Sequence, residues 1–377
     1  MNEETTANQQ QLPLVVGVDI GGTQIRTAVL QGAKLRSRVS ILTGADPTPD
    51  RIIPRIFGAV QQALNEAHVT IDQIAGIGVA TPGPLDNRTG VIYSPPNLPG
   101  WTAVPLRDLF YNHFKIPIFI ENDAHAAGLA EYMFGAGRGS RIMVYLTIST
   151  GIGGGVIING KIFEGASGTG GELGHMSIDW QGGRCNCGNV GCLEYLASGT
   201  AIARYANEAI AAGHGAELLA FASTMLEHTA TVPDLAALPV QDLNTRPLAD
   251  FDDLMGEIEP LRVNARTVAR AAEAGIPLAR AIITKAAEAL GVGLVNIIHI
   301  FNPEIIILGG GVTLVGPMLM EPALRVVQEH AMKAPLDAVR IVEAQLGTNV
   351  GLTGAGALIY YYTNNGSSIL SGNGGRP

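Results

Sequence analysis

Short apolar runs that break off in glycine-rich polar turns are the dominant pattern along this chain. Leu14 to Val18 is apolar and meets Asp19-Ile20-Gly21-Gly22-Thr23, after which Ile25 to Leu30 resumes the run. Strand, glycine turn, strand predicts a β-hairpin. Arg141 to Ile148, the turn Ser149 to Gly155 and Val156 to Ile158 repeat that order about 130 residues later, which makes an internal duplication the economical account. Between the copies, Asp50 to Ala67 has helical spacing, with Pro54 near its first turn. Ile74 to Ala80 reads as a buried strand closed by the rigid turn Thr81-Pro82-Gly83-Pro84. Ile116 to Ile120 is a strand whose Pro117 suits an edge, and Ala124 to Phe134 is helical.

Helical spacing dominates beyond the second hairpin. Ala197 to Ala212, Thr267 to Ile300, Pro317 to Met332 and Val350 to Tyr361 all show it. Gly291 and Gly293 allow close packing in the second of these. Pro303 to Leu308 is a strand closed by Gly309-Gly310-Gly311, a third glycine turn against which a nucleoside could lie. Residues 213–258 are less regular and read as an inserted excursion; 1–13 and 362–377 read as disordered tails. Strands alternating with helices predict an α/β protein.

The length, 377 residues, suits two domains, and 47% hydrophobic with 15% charged residues marks a globular chain. A formal net charge of −9 argues against non-specific nucleic-acid binding. The polar start, MNEETTANQQQ, carries no signal-peptide pattern. The best apolar run, Val292 to Leu308, is broken by Asn296, His299, Asn302, Pro303 and Glu304, so no membrane span is expected and a cytoplasmic protein is.

All three cysteines, Cys185, Cys187 and Cys192, fall in the stretch Gly171 to Glu194, just after His175. Three thiolates and one imidazole form a closed four-ligand set, as tetrahedral structural zinc requires. The alternative is three free thiols beside a surface histidine. A closed site leaves no position for water, so its purpose would be to hold Glu172, His175 and Glu194. The hairpin at Asp19 to Thr23 is neither a Walker loop nor a dinucleotide fingerprint, yet such a turn can present N–H groups to phosphate, with Thr23 adding a hydroxyl, and two such hairpins facing each other would clasp a polyphosphate. Asp123, at the strand-to-helix junction, is open to two readings: N-cap of the helix, or a carboxylate where ligands meet α/β sheets. His125 beside it reads as structural. Asn97-Leu98-Pro99-Gly100-Trp101 offers polar and aromatic groups suited to a sugar, or simply a packed tryptophan.

Taken in order, DIGGT at 19–23, TPGPLD at 81–86, NLPGW at 97–101, END at 121–123, GIGGG with GELGH at 151–175, CNCGNVGCLE at 185–194 and LGGGV at 308–312 resemble the ROK family of sugar kinases and sugar-responsive repressors. The resemblance runs from about Val15 to Tyr361, the excursion excepted. It implies the two-domain ribonuclease H-like, actin and hexokinase fold, with a cleft between domains and assembly as a homodimer or homotetramer. The small domain would be 1–122, with helix 350–361 packed back on it, and the larger domain 123–349. The resemblance further implies Asp123 as catalytic base and Asn97, Asn122, Glu172, His175 and Glu194 as sugar contacts. Gly21, Gly22 and Thr23, together with Thr150, Gly151, Gly153 and Gly154, would hold the nucleotide phosphates, Gly310 and Gly311 the nucleoside, and Asp19 would lie near magnesium. His175, Cys185, Cys187 and Cys192 would bind zinc.

The function expected on this basis is ATP-dependent phosphorylation of a hexose, glucose before N-acetylmannosamine, fructose or another sugar, with ATP and magnesium as cofactors and structural zinc. Hexose and ATP are the expected partners, without nucleic acid or membrane. A repressor of the same family is the second reading, but only about a dozen polar residues precede Leu14, few for a helix-turn-helix. A zinc-stabilised binding module without turnover is the third.

Overall fold

All six residues of β1 (Val15–Ile20) are buried, which is what a strand covered on both faces requires. It pairs antiparallel with β2 (Gln24–Gln31), so that Asp19 faces Arg26 and Ile20 faces Ile25 across the hairpin. β3 (Lys34–Leu35) and β4 (Val39–Leu42) both pair with β2. β5 (Ile77–Thr81) joins β1 in parallel. Three short strands, β6 (Leu85–Asp86), β7 (Val91–Ile92) and β8 (Val104–Pro105), form a separate small sheet. β9 (Ile118–Asn122) is the edge strand of the first sheet, with Pro117 just outside it, and the order is β3-β2-β1-β5-β9. The structure, a computed structural model, describes residues 12–44, 46–95, 98–229 and 263–363.

The second sheet has the order β12-β11-β10-β13-β14, from β10 (Ile142–Ile148), β11 (Ile152–Ile158), β12 (Lys161–Ile162), β13 (Ile305–Gly309) and β14 (Arg340–Glu343). It repeats the first: an antiparallel hairpin with a short third strand on one side and two parallel strands on the other. The duplication read from the two glycine hairpins thus extends to whole sheets.

Helices α1 (Pro49–Glu66) and α2 (Leu106–Phe114) cover the first sheet. Pro49 takes the first position of α1, and Pro54 lies in its second turn, one turn later than expected. α3 (Asp123–Phe134) follows β9 directly. On the second sheet lie α4 (Leu193–Ala197), α5 (Gly199–Ala211), α6 (Ala216–Thr229), α7 (Ala265–Glu273), α8 (Pro277–Phe301), α9 (Pro317–His330) and α10 (Lys333–Ala338). The expected helix from Ala197 begins instead at Gly199, because Ser198 accepts the N–H of Ala201 at 3.1 Å and caps it. The expected helix from Thr267 to Ile300 is two, parted at Gly275, whose φ is +94°; Pro277 opens the second. Within the 213–258 excursion, residues 216–229 are helical; 230–262 lie outside the described residues.

α11 (Val350–Thr363) and α3 fill the space between the two sheets, sharing a core of Val15, Leu30, Leu129, Met143, Ile157, Ile307, Leu352 and Leu358. Gly78 is needed there, since a side chain on it would overlap the Ala355 carbonyl. Gly291 does the same for α8 against α9, where a Cβ would meet the Ala323 carbonyl oxygen at 2.6 Å. The expected tails are shorter than read. The Pro13 carbonyl accepts the Tyr360 hydroxyl at 2.8 Å, and Tyr362 and Thr363 belong to α11; 1–11 and 364–377 lie outside the described residues. Contrary to the sequence expectation, one helix among the described residues, α8, is long and apolar enough to cross a bilayer. Ile282, Ile283, Leu290, Leu294 and Ile298 bury much of it in the core of the second sheet.

Candidate functional site

The β1–β2 hairpin tip is held from below. Thr43 donates its hydroxyl to the Gly21 carbonyl at 2.8 Å and its N–H to the Thr23 carbonyl at 2.8 Å. Gly22 and Thr23 are left exposed. Asp19 is 6% exposed and forms an ion pair with Arg26 at 2.7 Å. The pair lacks hydrogen-bond alignment, so Asp19 Oδ2 is a buried acceptor without a hydrogen-bond donor. A buried carboxylate beside an open phosphate-type turn fits a hard cation such as magnesium. The start of α11 makes room for it: a Cβ on Gly351 would collide with the Asp19 carboxylate.

The second hairpin is tighter than its sequence suggests. Ile148 pairs with Ile152, so the turn is only Ser149-Thr150-Gly151, and Gly153, Gly154 and Gly155 lie inside β11. Their missing side chains serve close approach. A Cβ on Gly155 would meet the Ala124 carbonyl at 2.8 Å, one on Gly153 the Ala124 methyl at 2.8 Å, and one on Gly154 the Leu173 side chain at 2.9 Å. Gly310, with φ +94°, packs against the Ile148 backbone, and Gly311 faces open space. The third glycine turn therefore adjoins the second hairpin. The start of α5 also binds it: Gly199 donates to the Ser149 carbonyl at 2.8 Å and the Thr200 hydroxyl to the Thr150 carbonyl at 2.8 Å.

Asn122, not Asp123, caps α3, accepting the N–H of Ala124 at 2.9 Å and of His125 at 3.3 Å. Asp123 takes the first helical position, and its Oδ1 also accepts the Ala124 N–H, at 2.8 Å. Asp123 is solvent-exposed, yet enough protein lies around its carboxyl to desolvate it. Desolvation first, then the charge of Asp19, push its pKa up to about 6; the Ala124 N–H opposes this and Glu172 adds to it. That electrostatic reach ties Asp123 to Asp19 and Glu172, which stand 104 residues before it and 49 after it in sequence.

Glu172 is exposed at the start of a short 3-10 turn, Leu173–His175. His175 and the three cysteines then come together, with all four ligand atoms within 4.8 Å of one another. Cys187 Sγ and Cys192 Sγ are 3.7 Å apart, and Cys185 Sγ and His175 Nδ1 3.9 Å. A tetrahedron with bonds of about 2.3 Å has edges of about 3.7 Å, so the four atoms fit structural zinc. Gly188 and Gly191, at φ +93° and +63°, supply the left-handed turns between the thiols. With Nδ1 aimed into the cluster, His175 Nε2 remains for another partner.

Glu194 sits in the first turn of α4, and its Oε2 accepts the Ile152 N–H at 2.9 Å. One of its oxygens is thus committed to the second hairpin, a contact the sequence did not disclose. Trp101 is fully buried and donates its indole N–H to the Pro47 carbonyl at 2.7 Å, so it packs and shows no face to a ligand. Asn97 lies outside the described residues. Arg26, Thr43 and Gly351 were not singled out from sequence, and Glu121 entered only as part of the END match without a role. Arg26 had a signal, since a two-sided hairpin turning at Gly22 sets it opposite Asp19; the others had none at short range.

A sequence profile described as the ROK family matches residues 15–361. A glucokinase of Halalkalibacterium halodurans is 33% identical over 93% of this chain and 96% of its own length. A xylose repressor of Caldicellulosiruptor bescii is 27% identical over 92% of this chain and 77% of its own. Among solved structures, a ROK hexokinase from Thermus thermophilus shares 33% identity with a TM-score of 0.69, over 93% of this chain and 99% of that one. A ROK family glucokinase from Streptomyces griseus, in complex with glucose and AMPPNP, shares 30% identity with a TM-score of 0.68, over 92% and 98%.

Proposed function

Because this chain belongs to the ROK family, we propose that it transfers the γ-phosphoryl group of ATP to the 6-hydroxyl of glucose, with Asp123 as general base. Its fold is the two-domain actin and hexokinase fold of the family's hexokinases, and it is a sugar kinase. Glucose as the acceptor is supported by relatives named glucokinase at 31–33% identity and by the Streptomyces griseus structure with glucose and AMPPNP. N-acetylmannosamine and fructose are the alternatives within the family.

The observation that carries the reading is the Asp123 carboxyl: accessible, desolvated enough to raise its pKa, and freed from sole duty as a helix cap by Asn122. A base whose pKa lies near 6 is ionised at neutral pH and takes the hydroxyl proton as the oxygen bonds to phosphorus. Glu172, His175 Nε2, Asn122, Asn97 and Glu194 Oε1, which here neighbours the Cys185 thiol at 3.9 Å, would orient sugar hydroxyls, each bond having a fixed direction. The turns at Gly21 to Thr23 and at Thr150 and Gly151 would present N–H groups to the phosphates, with Gly153 and Gly154 shaping the second from within its strand. Gly310 and Gly311 would flank the nucleoside. Magnesium, held by Asp19, would neutralise phosphate charge. Zinc at His175, Cys185, Cys187 and Cys192 would fix the sugar loop without contacting a reactant. Assembly as a homodimer or homotetramer belongs to the same proposal.

Coupled detection of ADP across a panel of hexoses and phosphoryl donors tests it. Glucose with ATP should give the highest kcat/KM. A higher value for another hexose would overturn the acceptor, and no turnover with any would favour the repressor reading that the xylose repressor similarity supports.

A further inference from the structure

Glu121 is wholly buried beside the candidate base, and each of its carboxylate oxygens has a backbone or amide N–H donor and a second polar neighbour. Oε1 accepts the Asn122 N–H at 2.9 Å and faces His125 Nδ1 at 3.1 Å. Oε2 accepts from Asn87 Nδ2 at 3.0 Å and shares the Tyr362 hydroxyl with Glu164 Oε1, at 3.2 and 3.3 Å. With the Asn122 N–H on one oxygen and the Asn87 amide N–H on the other, both groups that can only donate, Glu121 is held as a carboxylate, so His125 Nδ1 must carry a proton. The other ring nitrogen, Nε2, lies 2.6 Å from the Gly170 carbonyl, which can only accept. It must carry a proton as well. Two acceptors on one imidazole leave no neutral tautomer that makes both bonds.

The two ends of this bridge are parts of the site. Glu121 precedes Asn122 and Asp123; Gly170 precedes Gly171 and Glu172. The Gly170 end is fixed in turn, its own N–H donating to the Glu164 carbonyl at 2.7 Å. We propose that His125 is a positioning residue for sugar binding: a doubly protonated imidazole that fastens the loop carrying Glu172 to the strand end carrying Asn122 and Asp123. A cation in the first turn of a helix opposes the helix dipole, so the charge is held there by its neighbours rather than by α3. Its charged neighbours are acidic: Glu121 from β9, Glu172 from the flanking loop and Asp123 from α3 itself, while the Tyr362 hydroxyl from α11 lies between Glu121 and Glu164. Burial lowers the His125 pKa, but the bond to Glu121 and the charges of Glu121 and Glu172 outweigh it, and the net shift is upward.

The inference rests on the hexose-kinase reading only for its kinetic consequence. Nitrogen-15 NMR of the wild-type protein at about pH 8, above the ordinary histidine range, should find one imidazole with both nitrogens protonated, its signal lost in His125→Gln. A singly protonated His125 overturns the proposal. In His125→Gln, amide exchange at residues 171–175 should quicken without global loosening, and the KM for the sugar should rise about tenfold with kcat changed by less than about threefold, the scale of one bond to a charged group. Unchanged exchange and KM overturn it equally. Glu121→Gln is the second variant: it should move the alkaline limb of 1/KM towards neutral pH, and an unmoved limb counts against the bridge. If the wild type turns over no hexose, the kinase reading fails while the NMR and exchange results still decide on the bridge.

Discussion

Glu194 accepts the Ile152 N–H at 2.9 Å, and this one bond joins the cysteine segment to the second glycine hairpin. Glu194 follows the zinc-ligand candidate Cys192 by two residues, and Ile152 follows the turn Ser149-Thr150-Gly151 directly. A disturbance of the cluster therefore reaches the phosphate side as well as the sugar side. Removal of metal by a chelator, or Cys187→Ala, should raise the KM for both glucose and ATP. Steady-state kinetics with each substrate varied in turn would show it; an unchanged KM for ATP would mean that the bond transmits nothing.

Asp123→Asn keeps the shape of the side chain and removes the base. The kcat should fall by about 10²–10⁴-fold, the usual contribution of general-base catalysis. Glucose binding by calorimetry should survive. Retention of more than about a tenth of the rate would remove Asp123 from the base role.

The raised pKa of Asp123 makes two predictions about pH. Catalysis needs the ionised form, so kcat/KM should fall as pH drops through about 6. Stability runs the other way. With a folded pKa of about 6 against an ordinary 3.8, the folded state binds more protons than the unfolded state between those values, so this group costs stability as pH rises through that window. Asp123→Asn should then melt above the wild type at neutral pH, with the gap closing towards pH 4. Thermal denaturation across that range measures it, and a gap independent of pH would contradict the assignment.

Gly351→Ala separates folding from function. Alanine is the better helix former by about 1 kcal/mol, so α11 should not weaken. The added methyl would nevertheless collide with the Asp19 carboxylate. Melting temperature should hold while the magnesium needed for half-maximal rate rises and kcat falls by up to about a hundredfold, the scale of a small misplacement at a reacting site. A magnesium titration of the variant checks this.

Runs such as Val15 to Ile20 and Ile142 to Ile148 announced their strands because both sheets are buried on both faces, leaving apolar blocks bounded by glycine. The cysteine cluster was legible because its four ligands lie close in sequence. The turn at 149–155 was misread because glycine signals a turn and a close approach alike; only the packing of Ala124 and Leu173 shows that Gly153 to Gly155 serve the second. Asn122 and Asp123 are adjacent and both cap helices well, so sequence could not divide the two tasks. Glu121 and Tyr362 are 241 residues apart, and no local pattern joins them.

α11 completes the first sheet, yet it is made from residues 350–363. Gly17 and Gly78 are shaped to receive its backbone, and Leu352 and Leu358 fill the core shared with β1 and β2. While the chain is still on the ribosome, that face of the first sheet stands bare. The amino-terminal half cannot mature ahead of the rest, as the first domain of a multidomain chain usually does. Nascent chains stalled before residue 350 should therefore depend on chaperones, and the protein should acquire its activity in one step at the end of synthesis.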